Sequence, residues 1–387
     1  MRLLTVTHFF ESHGGGIERV AGHLNRHFTG LGHETSWVAS DEDALPPSGT
    51  ARAIGIRCAN FVERLSGLPM PIPSLRGLGR LRDAVAQCDA VVIHDALYVT
   101  SIAAMILARR AGKPTILIQH IASIPFSNPV LRLAMHIANR MVTAPMLRAA
   151  GQPVFISDTV RSAFAGIATK RPPLLLFNGV DTAIFTPGNR AVARKATGME
   201  DGRRQLLFVG RFVEKKGMAV LRALAKSRPD LRFVLAGKGP IDPDAWGLEN
   251  VHVERGRAGA SLAELYRAAD LFLLPSVGEG YPLVIQEAMA CGLPVICGED
   301  SARADPGAGS WLVGVNVRLA EPEATAASVS TAIDGAGLDT ATRDAMALYA
   351  ARTYSWTGMA AALAGAIAEM VQVPSGTIVH PARTAAA

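Results

Sequence analysis

A chain of 387 residues is too long for one hydrophobic core and fits two domains. Its residues are 49% apolar and 19% charged, and the net charge of +6 resides in residues 1–185, where 18 Lys and Arg face 12 Asp and Glu; residues 186–387 balance at 21 each. The most apolar stretch, Ala90 to Ala108, carries His94-Asp95, the four cysteines show no metal or disulfide spacing, and no basic run is interleaved with aromatics; a membrane span, a metal scaffold and a nucleic-acid partner are therefore disfavoured.

From the start of the chain, Met1 to His8 lacks a long apolar core and leads into Gly14-Gly-Gly16, so it reads as a first strand rather than a signal peptide. Short apolar runs then alternate with longer amphipathic ones, the pattern of parallel sheets with crossover helices. The runs predict strands at Leu3–His8, Glu34–Ala39, Ala90–His94, Thr115–Gln119, Pro153–Ile156 and Leu174–Phe177, with a helix over Ile17–Leu31. Leu65–Arg82, rich in Pro and Gly, reads as a long loop and part of an acceptor cleft. After a polar stretch from Pro187 to Arg204 a second set follows: Gln205–Val209, Arg232–Ala236, Val251–Val253, Leu271–Pro275, Pro294–Cys297 and Trp311–Val313. The expectation is two Rossmann-like domains facing across a cleft, 1–185 and 186–354. An amphipathic helix covers 355–372, and 373–387 form a disordered tail.

The most informative segment is Glu279-Gly-Tyr-Pro-Leu-Val-Ile-Gln-Glu287, followed by Ala-Met-Ala-Cys-Gly-Leu-Pro-Val. Pro282 suits the first position of a helix, because its missing N–H would be unpaired there. The free amides of Gly280 and Tyr281 before Pro282, and of Leu283 and Val284 after it, then frame a phosphate seat at the positive end of the helix. Glu279 and Glu287 reach past that seat to hydroxyl groups, one side holding a hexose and the other a ribose. A hydrolase acid–nucleophile pair needs carboxyls about 5–9 Å apart. The helical rise from Pro282 to Glu287 alone is about 7.5 Å before the loop is added. Two solvated glutamates flanking a buried helix are the bland alternative.

This Glu-x7-Glu segment resembles the donor-site motif of the retaining family 4 glycosyltransferases, two-domain enzymes of the GT-B fold. Further segments match in order: Gly14-Gly-Gly-Ile-Glu-Arg19, Asn178-Gly-Val-Asp181, Val209-Gly-Arg-Phe-Val-Glu-Lys-Lys-Gly217, Ala236-Gly-Lys-Gly-Pro240 and Ala268-Ala-Asp-Leu-Phe-Leu-Leu-Pro-Ser276. The resemblance implies that the helix over 355–372 crosses back to the first domain, and that Arg211 and Lys216 hold the donor diphosphate in place of a metal, with no cofactor. It implies that His120 contacts the donor sugar near the reacting centre, beside Glu279, and that Gly15 and Gly16 lie between donor phosphate and acceptor. Gly210, Gly237, Gly280, Tyr281, Pro282, Leu283 and Glu287 complete the expected donor site. Fixed cations in a dry cleft stabilise a leaving diphosphate more in the transition state than in the ground state. Lys215 reads as a solvating lysine, Glu18 as structural, and His94-Asp95 as acceptor ligands or a base. The glycine the family places after the strand Val251–Val253 is displaced in Glu254-Arg-Gly-Arg257, which leaves the base pocket unassigned.

The function implied is transfer of a hexose, with retention, from a UDP- or GDP-linked sugar to a hydroxyl on a glycan or lipid-linked acceptor in polysaccharide or glycolipid synthesis. The expected location is the cytoplasm, peripheral to the inner membrane face. Between Arg52 and Arg148 twelve basic residues face four acidic ones, a field suited to an anionic membrane or a lipid diphosphate. An epimerase of the same architecture, an NAD-dependent oxidoreductase and an idle sugar-nucleotide-binding scaffold are the rivals. The oxidoreductase lacks a dinucleotide fingerprint.

Overall fold

Short apolar runs close into two parallel sheets in the computed structural model, which describes residues 1–46, 49, 51–60, 70–122, 129–200, 202–337 and 339–372. The strands of the first are β1 Arg2–Val6, β2 Glu34–Ser40 and β3 Arg52–Ile56, then, after a small antiparallel ribbon of β4 Cys58–Ala59 and β5 Ile72–Pro73, β6 Ala90–His94, β7 Thr115–Gln119, β8 Gln152–Phe155 and β9 Leu174–Leu175. Their spatial order is β3-β2-β1-β6-β7-β8-β9. The second sheet holds β10 Arg204–Val209, β11 Leu231–Ala236, β12 Val251–Glu254, β13 Leu271–Leu274, β14 Val295–Gly298 and β15 Leu312–Val315, in the order β12-β11-β10-β13-β14-β15. Among the described residues every pairing within these two sheets is parallel.

Parallel strands covered on both faces need apolar residues at successive positions rather than alternate ones. In β6, Val91 and Ile93 join one buried cluster with Leu4, Val6 and Leu117, while Ala90 and Val92 join another with Leu3, Ile116 and Ile118. In each sheet the chain order reverses beside the first strand, between β1 and β6 and between β10 and β13. Such reversals open a crevice at the carboxyl ends of the strands. The residues singled out from the sequence lie on the loops that leave these ends or on the helices those loops lead into, Gly16 in the helix Gly16–Gly30 and Leu283 and Glu287 in the helix Leu283–Ala290.

Five helices border the cleft or an outer face of the first domain: α1 Gly16–Gly30, α2 Val99–Arg110, α3 Pro129–Ala138, α4 Leu283–Ala290 and α5 Trp356–Gln372. As expected, α5 returns to the first domain. Its Trp356, Met359, Ala360, Leu363 and Ile367 complete the cluster containing Leu3, Val20, Leu24 and Phe28. Trp356 stacks on His23 at 4.6 Å between ring centroids, and Arg171 pairs with Glu369 at 2.9 Å. Gly179 makes room for this crossing, since a Cβ there would lie 2.3 Å from the indole.

Two expectations are corrected. Leu65–Arg82 is not a loop throughout: Ile72–Pro73 form a strand and Leu75–Gln87 a helix, whose Ser74 side chain accepts from the Gly77 amide at 3.1 Å. The buried positions Gly77, Leu81, Ala84 and Val85 keep a helical period that the glycines mask in the sequence. Residues 65–69 of that segment, like the tail 373–387, lie outside the described residues. Pro282 caps α4 from an extended conformation (ψ 130°), and the helix starts one residue later.

Trp356 is 4% exposed. The Trp356→Ala variant should lose about 3–5 kcal/mol of stability, measured as a lower denaturant midpoint; an unchanged midpoint would mean that α5 does not stabilise the first domain.

Candidate functional site

The first domain supplies a buried polar cluster at the ends of β1, β6 and β7. Gly14 has a positive φ of 83°, which glycine adopts freely, and Gly15 is the N-cap of α1. The Glu18 side chain folds back so closely that a Cβ on Gly15 would lie 2.1 Å from its carboxylate, whereas a Cβ on Gly16 would meet open space. Glu18 is 2% exposed and pairs with His8 at 2.8 Å; His8 in turn stacks on Tyr98 at 3.7 Å. Burial raises the Glu18 carboxyl, but the hydrogen bond and charge of His8 outweigh it and hold the group below the usual carboxylate range. This buried pair is the floor beneath the glycine loop, in keeping with a structural Glu18.

Asp95, among the described residues the one non-glycine with positive φ (61°), follows β6 directly. Its carboxylate accepts from the Gln119 side chain, and its other oxygen is buried with no partner among the described residues. Burial pushes the Asp95 carboxyl up to about 8. His94 and His120 are 3.0 Å apart, Nδ1 to Nε2, and both are buried. Burial depresses both imidazoles, His120 to about 3, so each is neutral at physiological pH. His120 can therefore exchange hydrogen bonds with a sugar but supplies no charge.

The second domain supplies the cations. Lys216 lies 3.0 Å and Lys215 3.6 Å from the same oxygen of Glu279. Lys216 and Glu279 are 14% and 15% exposed and Lys215 46%, so the sheltered pair is Lys216–Glu279. Arg211 is exposed just beyond β10. The loops behind it depend on absent side chains: a Cβ on Gly237, where φ is 155°, would lie 1.9 Å from the Gly210 carbonyl oxygen, and one on Gly217 2.1 Å from that of Pro275. Pro282 makes no side-chain cap to α4; the Ile285 amide bonds the Pro282 carbonyl at 3.0 Å, and those of Leu283 and Val284 stand at the open start of the helix.

Gly280 is one of the places where the domains touch. A Cβ there would lie 2.1 Å from the carbonyl oxygen of His120. Leu283, partly buried, packs against the first domain's cluster. Tyr281 offers backbone only, because its ring is buried and its hydroxyl bonds that of Tyr354 at 2.8 Å. Glu287 accepts from the Tyr266 hydroxyl at 2.8 Å. Burial raises the Glu287 carboxyl, opposed by Tyr266 and by the charge of Arg19.

His120, Gly280, Glu279 and Lys216 thus form one wall at the domain contact, while Glu287 faces Arg19 of α1. Arg19 and Tyr266 were not singled out from the sequence, although Arg19 closes the Gly14-Gly-Gly-Ile-Glu-Arg19 motif. Glu254, the last residue of β12, is held by Arg257 at 2.8 Å and His252 at 3.1 Å. Two Asp-x-Asp triplets, the spacing that often binds metal in sugar-nucleotide sites, are engaged in ion pairs: Asp242 and Asp244 with Arg255 at 2.7 and 2.6 Å, and Asp43 with His13 at 3.0 Å. The arrangement can hold an anion at Lys216 and the start of α4, with the Glu279 and Glu287 carboxylates to either side.

Residues 14–184 match the sequence model described as Glycosyltransferase Family 4, and residues 203–334 that of Glycosyl transferases group 1. A D-inositol 3-phosphate glycosyltransferase of Stackebrandtia nassauensis is 33% identical over 258 residues, covering 56% of this chain and 55% of its own. The chain spans about half or less of the curated relatives it matches most strongly. Among solved structures, sucrose-phosphate synthase from Thermosynechococcus elongatus superposes with a TM-score of 0.70 at 16% identity, over 96% of this chain and 99% of that one. Anabaena HepE, solved with UDP, gives 0.70 at 17% identity, over 95% and 100%. These likenesses establish the two-domain GT-B fold.

Because the Asp95 carboxyl is raised in the folded state, the stability it contributes is present below the ordinary carboxylate range and is lost as pH rises toward 8. The Asp95→Asn variant, uncharged throughout, should become progressively more stable than the parent across that interval, and the difference should level off above it. Thermal melts at stepped pH would show this; parallel curves would mean that Asp95 is ionised when folded.

Proposed function

Because the chain belongs to glycosyltransferase family 4, we propose that it moves a hexose, with retention and without a metal, from a nucleoside diphosphate sugar to a hydroxyl on a glycan or lipid-linked acceptor. The observation that carries the reading is the sheltered Lys216–Glu279 pair beside the open start of α4. A cationic seat at a helix N-terminus attracts an anion. Glu279 is the carboxylate that Lys216 pairs with there. A diphosphate takes over Lys216 and frees Glu279 to bind sugar hydroxyls.

The chemistry then follows from where charge develops. The bond from the anomeric carbon to the phosphate oxygen breaks, and the diphosphate gains negative charge that Arg211, Lys216 and the α4 amides stabilise. The acceptor oxygen bonds to the same carbon on the same face, and its proton passes to the departing phosphate oxygen. Neutral His120 orients the sugar, and Gly15 and Gly16 admit the reactants closely. Glu287, buttressed by Tyr266, receives the ribose hydroxyls.

Anabaena HepE has been solved with UDP and with UDP-glucose, which supports a UDP-linked donor, with GDP the other choice. The curated relatives are D-inositol 3-phosphate glycosyltransferases, so acceptor assays should include a phosphorylated polyol beside glycans and lipid-linked sugars. Work at the inner membrane face in polysaccharide or glycolipid synthesis is the setting this reading favours.

A thermal-shift panel of UDP-, GDP- and ADP-sugars should pick out one nucleotide, and product analysis should find sugar on the acceptor rather than an epimerised donor. Lys216→Ala should lower kcat about 100-fold or more, as loss of one transition-state contact does. Glu287→Ala should instead raise KM for the donor by about 10- to 100-fold. Near-normal kinetics in both variants would remove these residues from the site.

A further inference from the structure

The face of the first domain built by α3 and its neighbours has no role in the cleft chemistry, and its surface is unusual. A helix on a globular protein ordinarily turns its apolar stripe toward the core. Here Val130, Leu133 and Ile137 continue to Met141 at helical spacing, and they are 70%, 60%, 51% and 69% exposed. Arg132, His136 and Arg140 run beside this stripe at intervals of four, so α3 is apolar along one line and basic along the next. Between Asp95 and Asp158 the sequence contains no carboxylate at all, against six Lys and Arg.

Next to the stripe lies a groove of about 550 Å³ between α2 and the helical segment 139–149 that follows α3. It is lined by Met105, Ile106, Met141 and Met146, with Arg109 and Arg110, both exposed, along it. Met141 belongs to both features, so stripe and groove form one continuous surface. A contiguous exposed apolar patch marks an interaction site. A symmetric second copy would bring Arg132 and Arg140 against their own like charges. An apolar line flanked by cations instead matches the interface of an anionic bilayer, where acyl chains take the stripe and headgroup phosphates take the arginines.

We propose that α3 and the adjoining methionine-lined groove dock this protein on an anionic lipid bilayer. The docking does not depend on the sugar-transfer reading, but it has a geometric consequence for the cleft. The chain leaves β7 at His120 and reaches α3 within ten residues. The Asn139 side chain bonds the Ala122 carbonyl, and the Thr143 hydroxyl bonds the Asn139 amide oxygen at 3.0 Å. The docked helix is therefore fastened to the strand exit that carries His120, and the cleft opens beside the lipid surface.

Flotation of the full chain with vesicles of phosphatidylglycerol and phosphatidylcholine, and of phosphatidylcholine alone, tests the proposal. Binding to the anionic vesicles should be strong at low salt, and weak with phosphatidylcholine alone. It should fall about tenfold or more in both the Leu133→Asp/Ile137→Asp and the Arg132→Glu/Arg140→Glu variants. Unchanged melting curves would exclude misfolding as the cause of the loss. Absence of binding to anionic vesicles at low salt, or binding by both variants equal to that of the parent, overturns the proposal. So does a dimer, seen by light scattering, that the same substitutions dissociate while vesicle binding persists.

Discussion

The close contact of Gly280 with the His120 carbonyl sets the geometry of everything around the cleft. It brings the loop before α4 against the end of β7, and no residue larger than glycine fits there without moving one domain. With that contact made, the amides opening α4, the Lys216–Glu279 pair and the His94–His120 pair fall along one seam. The same economy recurs behind the cations, where Gly210 and Gly237 pack backbone on backbone. Side chains are removed from the places where main chain must approach main chain, and polar groups are concentrated at the edges left open.

The electrostatics divide between the two walls. The second domain offers permanent charge, with Lys216 and Glu279 sheltered enough that screening by solvent is weak. The first offers neutral hydrogen-bonding groups, because burial keeps His94 and His120 in their neutral form and holds Asp95 partly in its acid form. A charged leaving group and a neutral sugar would find suitable company on opposite sides.

Much of this was legible in the chain, and the failures have physical reasons. Strands covered on both faces read as unbroken apolar runs, so β1, β6, β7, β10, β11, β13 and β14 could be placed to within a residue or two. β3 was missed because Arg-Ala-Ile-Gly-Ile is short and mixed, its strand character coming from pairing with β2. The helix Leu75–Gln87 was mistaken for loop because Gly77 and Gly79 punctuate it; Gly77 is there because a Cβ would press on the Arg57 carbonyl. Pro282, with φ of −62°, suits a cap and a first helical position equally, which explains the one-residue error. Local patterns singled out the glycines and lysines that the structure brings to the domain contact, whose loops are continuous in sequence. They could not find Arg19 facing Glu287, a meeting across 268 positions created only when the domains assemble, nor show that Tyr281 turns its ring inward to Tyr354.

The return of α5 also fixes how the halves of the molecule can move. The polypeptide passes between them twice, once after β9 and once just before Trp356, and the Val180 amide bonds the Tyr354 carbonyl at 2.9 Å where the two passages run side by side. A single tether would permit swivel and twist. A doubled spine stitched at one point leaves chiefly a rocking about its own line, so each opening of the crevice retraces the path of its closing and returns the same residues to register.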